Sequence, residues 1–242
     1  MSPAHIPTLG QAPDSPFPDP LATRRSDGLI ACGGDLHPIR LLNAYRQGIF
    51  PWYDWRDPVL WWSPAPRAVM VPARMHISRR LRRSLRQGRF AVTADRDFAA
   101  VVRACAGPRR HQGGTWISAD MQHAYTLLHQ AGYAHSIEVR SPDGTLTGGL
   151  YGVALGGVFF AESKFYRQRD ASKIALAVLM RALSQWHFLL CDCQIWNPHL
   201  ERLGVALLPA VEFQAALALG LRQRDRRGSW DQALAAVNLR DW

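Results

Sequence analysis

Asp192 and Gln194 are two polar residues inside the otherwise apolar segment 189–197, which reads LLCDCQIWN. Neighbouring side chains of a strand point to opposite faces, so Asp192 and Gln194 share one face while Cys191 and Cys193 share the other. Burying a carboxylate without hydrogen-bond partners is costly. This polar face is therefore either hydrogen-bonded structure or a working site.

Glu162 repeats the pattern in the segment VFFAES, where it shares a strand face with Val158 and Phe160. Two isolated acids at the strand ends of one sheet can converge on a cation, an amine or a metal. The cysteines beside Asp192 do not favour the metal, because free Cys among Leu and Ile behaves as a small hydrophobe. A Cys-x-Cys spacing with no second pair is also a weak zinc or redox signal, so no metal site is predicted.

The segment SRRLRRSLRQGRF predicts a surface helix with a narrow leucine stripe and a dense cationic face. At helical spacing four arginines fall on one arc of about 100°. These are Arg79, Arg82, Arg83 and Arg86. Charges of one sign repel at this spacing unless something neutralises them. A solvated face is the alternative, but we expect this face to bind phosphates.

The composition limits the kind of partner and the compartment. The chain has 242 residues and a formal net charge of +10, which indicates a polyanionic partner such as nucleic acid, although Arg used only for solubility is the alternative. The apolar runs are too short to span a bilayer, and the N-terminus has no secretory apolar region. The four cysteines predict no disulfide framework. We expect a reduced, cytoplasmic protein without a membrane segment.

The periodicity of the chain predicts a mixed α/β layer architecture. From about residue 70 onward the expected order of elements is β-α-α-β-β-β-α-β-α. Residues 1–66 are rich in Trp and Pro and predict a smaller N-terminal domain, including a rigid aromatic loop that leads into a strand near residues 68–71. Residues 67–242 are expected to form the larger domain.

Seven motifs in order identify a family resemblance. They are GGDLHPIRLLNAYRQGIFPWY, LWWSPAPRAV, GTWIS, HSIEV, GGLYGVALGGVFFAESKF, ASKIAL and DCQIWNPHLERLG. Together they resemble the leucyl/phenylalanyl-tRNA–protein transferases over about residues 25–215. The resemblance implies a larger domain with the acetyltransferase-like (GNAT) fold. It also implies transfer of Leu or Phe, and less well Met, from charged tRNA to the N-terminal Arg or Lys of a protein, which marks that protein for N-degron-dependent degradation.

The resemblance also implies roles for individual residues. By motif position Asp192 and Gln194 are catalytic, and Glu162 belongs to the same polar site. The residues expected at the aminoacyl-adenosine end of the tRNA are Trp52, Trp116 and Tyr125. Asn197, at the end of DCQIWN, is expected to bind substrate. No cofactor is expected, and the protein is expected to be a monomer.

The reaction that the resemblance implies is aminolysis of an ester, and the polar residues suit it. The carbonyl of Gln194 can accept a hydrogen bond from the attacking amine and orient its lone pair. Asp192 can strengthen that acceptor, hold the Gln194 rotamer or take the proton through water; we favour an electrostatic role beside Gln194. The cationic acceptor suits a site with Glu162 and Asp192.

Two other functions fit parts of the sequence. An acyl-CoA-dependent N-acetyltransferase binds pyrophosphate where a strand turns into a helix, but the matching junction here, RQRDAS, lacks the required glycine and carries Asp170. A non-catalytic RNA-binding protein explains the positive charge but not the acids on apolar strands.

Overall fold

A computed structural model describes residues 6–22, 25–54, 56–107 and 115–239. Its N-terminal part holds a four-stranded sheet in the order β1-β2-β4-β3. The strands are β1 (Thr8–Leu9), β2 (Leu29–Gly33), β3 (Phe50–Pro51) and β4 (Leu60–Trp62). The helix α1 (Pro38–Arg46) connects β2 to β3. The sequence predicted a rigid aromatic loop where β3 and β4 lie, so that prediction was wrong for these two strands.

The larger sheet has seven strands. They are β5 (Arg67–Met70), β6 (Ala91–Ala94), β7 (Ala134–Arg140), β8 (Leu146–Leu155), β9 (Val158–Tyr166), β10 (Leu190–Gln194) and β11 (Ala206–Leu208). Their order is β11-β5-β10-β9-β8-β7-β6. The β9–β10 pair is parallel and the other neighbours are antiparallel, so the sheet is mixed. The consecutive strands β8 and β9 form an antiparallel hairpin.

Helices cover both faces of the larger sheet. They are α2 (Arg79–Arg86), α3 (Phe98–Cys105), α4 (Ala119–Gln130), α5 (Ala171–Gln185), α6 (Pro198–Glu201), α7 (Ala210–Gly220) and α8 (Asp231–Ala235). The strongly apolar α5 packs on one face with Phe159 and Cys191. The opposite face carries α3 and α4, which pack with Phe160 and Leu190. This alternation along β9 and β10 is the pattern of a strand buried on both sides.

The predicted mixed α/β class is therefore confirmed. The apolar cluster on the α3 and α4 face continues into the smaller sheet, where it includes Ile30 and Trp61. The expected division between residues 66 and 67 lies between the two sheets, and the assignment of two domains stays a prediction. In the described part of the chain, no helix has both the length and the apolar character needed to cross a membrane.

Candidate active site

Asp192 lies in the centre of the larger sheet, where β10 runs between β5 and β9. It pairs with Val69 on one side and Phe160 on the other. Its carboxylate accepts two hydrogen bonds from Arg67 of β5, from Nε at 2.8 Å and from Nη2 at 2.7 Å. The Asp192 side chain is 0% exposed and that of Arg67 is 1% exposed. A buried, bidentate ion pair therefore fixes the Asp192 carboxylate.

Two aromatic rings and a backbone carbonyl also contact the Arg67 guanidinium. Its guanidinium lies 4.9 Å from the ring centroid of Phe50 and 4.7 Å from that of Phe213. Its Nη2 also donates to the carbonyl of Gly48 at 2.9 Å. Cation–π contacts and a carbonyl compensate part of the cost of burying the cation. Sequence reasoning missed Arg67, although an arginine beside the apolar strand residues AVM was the available signal.

Gln194 ends β10 in an unusual backbone conformation. Its φ is 62°, in the left-handed region, and the register with β5 shifts between Asp192 and Gln194. The backbone N–H of Gln194 donates to Asp192 Oδ1 at 2.8 Å. The Gln194 side chain donates from Nε2 to Glu162 Oε1, also at 2.8 Å. Asp192 thus holds the turn that directs the Gln194 amide toward Glu162.

Three polar atoms lie within hydrogen-bond distance of Glu162 in a nearly closed site. Tyr45 Oη of α1 lies 2.8 Å from Oε1, Tyr125 Oη of α4 lies 2.7 Å from Oε2, and Gln194 Nε2 lies 2.8 Å from Oε1. Glu162 is 9% exposed, and Tyr45 and Tyr125 are 0% exposed. Burial, with a smaller contribution from the charge of Asp192, raises the pKa of Glu162 to about 7, against the opposing effect of the three hydrogen bonds. Sequence reasoning missed Tyr45.

The aromatic residues expected at the tRNA end occupy different environments. Trp52 is 44% exposed and lies beside Trp62, with ring centroids 6.1 Å apart. Trp116 is half-buried against the main apolar cluster. Trp52 and Trp116 therefore keep exposed surface. Tyr125 does not: its ring is buried and its hydroxyl contacts Glu162, and the expected contact of Tyr125 with the aminoacyl-adenosine end stays a prediction.

Asn197 is exposed and begins the short helix α6. Its side-chain oxygen accepts hydrogen bonds from the backbone N–H groups of His199 at 3.1 Å and Leu200 at 3.0 Å. This is the geometry of a helix N-cap. The structure thus gives Asn197 a structural contact, and the expected contact with substrate stays a prediction.

The basic helix α2 forms as the sequence predicted. Ser78 caps it by accepting a hydrogen bond from Leu81 N, and Leu81 is buried. The four arginines of the cationic face, Arg79, Arg82, Arg83 and Arg86, are exposed and line one shallow surface depression with Gln87. Arg80 points elsewhere and contacts Asp170 at 3.3 Å, at the start of α5. The cationic face of α2 is thus exposed and continuous, and its binding of phosphates stays a prediction.

The cysteines beside Asp192 are free thiols on the α5 face of the sheet. Cys191 is buried, and the Cys193 thiol donates a long contact of 3.9 Å to the Cys191 carbonyl. Within the described residues, no group of three or more His, Cys, Asp or Glu side chains is arranged to hold a metal ion.

A mixed sheet with a buried carboxylate–amide cluster on one face and an exposed arginine-rich helix packed on the α5 face suits a group-transfer enzyme that acts on a polyanionic substrate. Residues 69–218 match the family model described as leucyl/phenylalanyl-tRNA protein transferase, and residues 34–65 match the model of its N-terminal domain. The chain belongs to the leucyl/phenylalanyl-tRNA protein transferase family, and it is an aminoacyltransferase.

Relatives named leucyl/phenylalanyl-tRNA–protein transferase are similar over nearly the whole chain. One from Alkalilimnicola ehrlichii is 51% identical over 90% of this chain and 85% of its own length. One from Aromatoleum aromaticum is 51% identical over 96% of this chain and 97% of its own length. Among solved structures, L-PGS from Bacillus licheniformis is similar over 64% of each chain, with 12% identity and a TM-score of 0.36. That last likeness is too low to define the fold.

Proposed function

We propose that the protein transfers Leu or Phe, and less well Met, from charged tRNA to the N-terminal Arg or Lys of acceptor proteins. The modified protein then enters N-degron-dependent degradation. The observation that carries the proposal is the hydrogen bond from Gln194 to Glu162 in a nearly buried polar site, within the segment that matches the transferase family. The names of the relatives supply the donor amino acids.

The reaction depends more on aligning the amine with the ester than on activating either group. The aminoacyl ester is already activated, and an N-terminal amine has a pKa of about 7.7–8, so part of it is neutral near pH 7. Placing the two groups in contact supplies much of the rate. Nε2 of Gln194 donates to Glu162, so the acceptor end of that amide, Oε1, is the atom left for the substrate. This carbonyl oxygen accepts a hydrogen bond from the attacking amine and orients its lone pair.

Asp192 acts through its neighbours rather than on the substrate. Arg67 binds both of its carboxylate oxygens, and the backbone of Gln194 binds one of them. A carboxylate with these bonds and no exposed surface does not contact the substrate amine directly. We assign Asp192 as a positioning residue that holds Gln194, and Gln194 as the catalytic residue that meets the amine.

The tRNA occupies two further surfaces in this proposal. The cationic face of α2 binds backbone phosphates, which carry no sequence information directly. Trp52 and Trp116 keep exposed ring surface for the terminal adenosine, since aromatic side chains stack on unpaired bases. Tyr53, next to Trp52, and Trp116 both pack against the same apolar cluster.

We assign the larger domain to the GNAT-like fold, with residues 1–66 as the smaller domain, and place the protein in the cytoplasm as a monomer without metal or cofactor. An acyl-CoA donor is disfavoured at the start of α5. Asp170 lies there in a left-handed conformation with φ 67°, and its carboxylate pairs with Arg80 and Lys173. A negative group at this position repels a pyrophosphate.

A transfer assay tests the proposal. The protein is incubated with radiolabelled Leu-tRNA and a peptide that begins with Arg, and label on the peptide α-amine is measured. The same peptide with an acetylated N-terminus is the acceptor control, and acetyl-CoA is the donor control. We expect label only with charged tRNA and a free N-terminus. Acetyl transfer, or tRNA binding without any transfer, would refute the proposed function.

A further inference from the structure

Three oxygen-to-oxygen contacts close a ring among Tyr45, Tyr125 and Glu162. Tyr45 Oη lies 2.8 Å from Glu162 Oε1, and Tyr125 Oη lies 2.7 Å from Glu162 Oε2. The two tyrosine oxygens lie 2.5 Å from each other, the shortest of the three distances. Both tyrosines are fully buried, so these polar groups must be satisfied by one another.

The number of hydrogens in this ring depends on the protonation state of Glu162. Each contact at hydrogen-bond distance requires one hydrogen. If Glu162 is ionised, both tyrosine hydrogens point at the carboxylate, and the tyrosine oxygens face each other at 2.5 Å without a hydrogen between them. If Glu162 is protonated at Oε2, it donates to Tyr125, Tyr125 donates to Tyr45, and Tyr45 donates to Oε1. Only the protonated form satisfies all three contacts.

In the ionised form, one tyrosine hydrogen shared between two acceptors does not satisfy all three contacts. If the Tyr45 hydrogen pointed between Glu162 and Tyr125, both hydrogen-bond angles would bend, which weakens each contact steeply. The shortest distance in the ring, between the two tyrosines, would then correspond to the weakest hydrogen bond. Ionising a tyrosine removes a hydrogen and makes the deficit worse. Burial also raises the pKa of Tyr45 and Tyr125 well above the ordinary tyrosine range.

The surroundings of Glu162 favour the neutral form as well. The groups that bond to it are uncharged: Tyr45 from α1, Tyr125 from α4 and Gln194 from β10. Tyr151 of β8 packs edge-on against the Tyr125 ring. Among the described residues, the charged group that acts on Glu162 is Asp192, whose carboxylate is bound by Arg67 of β5. Lys164 pairs with Leu150, which packs on the opposite, α5 face of the sheet. Burial among these groups raises the pKa of Glu162.

We propose that Glu162 is uncharged in the resting protein and closes, with Tyr45 and Tyr125, a ring of hydrogen bonds that holds the proton exchanged during transfer. The exchange step rests on the proposed function, whereas the protonation of Glu162 does not. Glu162 is then a catalytic residue that exchanges a proton with the substrate. Tyr45 is a positioning residue that acts through Glu162.

The atoms balance without a co-reactant. The lone pair of the acceptor amine forms the bond to the ester carbonyl carbon, and the bond from that carbon to the ribose oxygen breaks. The ribose oxygen receives the electron pair and takes the Glu162 proton to become a hydroxyl. The Glu162 carboxylate takes the proton that the nitrogen loses as it becomes an amide. Glu162 therefore ends the reaction protonated, as it began.

The neutral ring differs from the expectation that Glu162 serves as counterion to the cationic acceptor. The variant Glu162→Gln separates the two roles, because an amide can donate and accept within the ring but cannot exchange the proton. We expect the KM for an Arg-initiated peptide to stay unchanged and kcat to fall by about 100-fold or more. A raised KM with unchanged kcat would support the counterion role and overturn the proposal.

Infrared spectroscopy observes the protonation directly and without substrate. The protein is labelled with ¹³C at the glutamate side-chain carboxyls, and the spectrum of Glu162→Gln is subtracted from that of the wild type. At one unit below a pH of about 7, we expect the carbonyl band of a protonated carboxyl, which fades as the pH rises through that value. Carboxylate bands at the lower pH would overturn the proposal.

The role of Tyr45 is tested with matched Tyr-to-Phe variants. Tyr45→Phe breaks the ring, whereas Tyr133→Phe removes a tyrosine hydroxyl outside the site, where the ring lies over Arg227. We expect Tyr45→Phe to shift the midpoint of the infrared titration and to lower kcat about tenfold, the effect of one hydrogen bond. Tyr133→Phe should match the wild type. If Tyr45→Phe does not fold, Tyr125→Phe breaks the same ring.

The two proposals fail in different ways. A wild-type protein that transfers nothing would refute the proposed function and leave the infrared result standing. A Tyr45→Phe variant with an unchanged titration midpoint and unchanged kcat would refute the ring, while active transfer by the wild type would leave the proposed function intact.

Discussion

Arg67 and Asp192 form a bidentate ion pair in the centre of the larger sheet, with distances of 2.8 and 2.7 Å and almost no exposed surface. The pair joins β5 to β10, strands 125 residues apart in the chain. In the proposed mechanism the amide of Gln194, and not the Asp192 carboxylate, therefore meets the substrate. The negative charge of Asp192 in the DCQ motif thus serves the ion pair with Arg67.

Removal of Asp192 is expected to destabilise the fold strongly. Asp192→Ala leaves the buried Arg67 cation without its partner, and breaking a buried pair in this way costs about 3–5 kcal/mol. The double variant Arg67→Met with Asp192→Leu removes both charges and should recover most of that loss. Urea unfolding measures the free energy of each variant.

An exposed pair provides the control for this prediction. Arg96 and Asp231 contact at 2.9 Å, but the Arg96 side chain is 62% exposed. Asp231→Ala should cost only about 0–1 kcal/mol. Equal losses for Asp192→Ala and Asp231→Ala would contradict the structural role of the Arg67–Asp192 pair.

The pH dependence of stability should report Glu162. Its pKa rises from an ordinary 4.5 to about 7 on folding, so the folded state binds the proton more tightly than the unfolded state. The contribution of Glu162 to the free energy of unfolding is fully present below its ordinary pKa of 4.5. It is lost as the pH rises to about 7. At about 1.4 kcal/mol per unit, the loss is roughly 3 kcal/mol.

Glu162→Gln isolates that contribution, because the other titrating groups are common to both proteins. The difference in unfolding free energy between the wild type and Glu162→Gln should change by roughly 3 kcal/mol across this pH range, in favour of the variant at higher pH. Parallel stability curves would show that the Glu162 pKa is not raised.

Gln194 should show an unusual preference for glycine. Its φ of 62° is disfavoured for residues with a Cβ, while glycine adopts it freely. Gln194→Gly and Gln194→Ala both lose the hydrogen bond to Glu162, and only the glycine variant relieves the backbone strain. We expect Gln194→Gly to be the more stable by about 1 kcal/mol in chemical unfolding. An alanine variant of equal or greater stability would argue against a strained backbone at this residue.

The cationic face of α2 should control the salt dependence of tRNA binding. Each phosphate contact contributes about 0.9 to the slope of log affinity against log salt. Arg82→Ala with Arg83→Ala should therefore reduce the slope by about 2, and transfer from a minimal aminoacyl-adenosine donor should stay unchanged. Binding titrations at several salt concentrations measure the slope.

A matched pair of arginines tests whether position or total charge matters. Arg103 and Arg224 are exposed and lie outside the depression on α2. Arg103→Ala with Arg224→Ala removes the same charge and should leave the slope near that of the wild type. If both double variants lowered the slope equally, the total charge of the protein, and not a phosphate-binding surface on α2, would set the salt dependence.

Strand alternation was sufficient to place much of the candidate site. It put Asp192 and Gln194 on one face of β10 and Glu162 with Phe160 on one face of β9, and the parallel pairing of these strands brings the groups together. Periodicity also located α2, because an amphipathic charge pattern is local. These features depend on neighbouring residues alone.

The partners of these acids could not be found in the same way. Tyr45 reaches Glu162 across 117 residues of sequence, and Arg67 reaches Asp192 across 125. Only tertiary packing brings such groups together. Burial of Tyr125 was missed for the same reason, since a tyrosine on a helix can face either solvent or core. The strands β3 and β4 escaped prediction because Trp and Pro obscure alternation in so short a segment.

In the proposed mechanism the Gln194 amide, held by Glu162 and Asp192, orients the attacking amine. Single-turnover transfer by Gln194→Ala, measured together with its Kd for charged tRNA, tests this most directly. We expect the transfer rate to fall by about 100-fold or more while Kd stays within about twofold of the wild type, because the amide is required for chemistry and not for tRNA binding. A variant that transfers at the wild-type rate would contradict the claim.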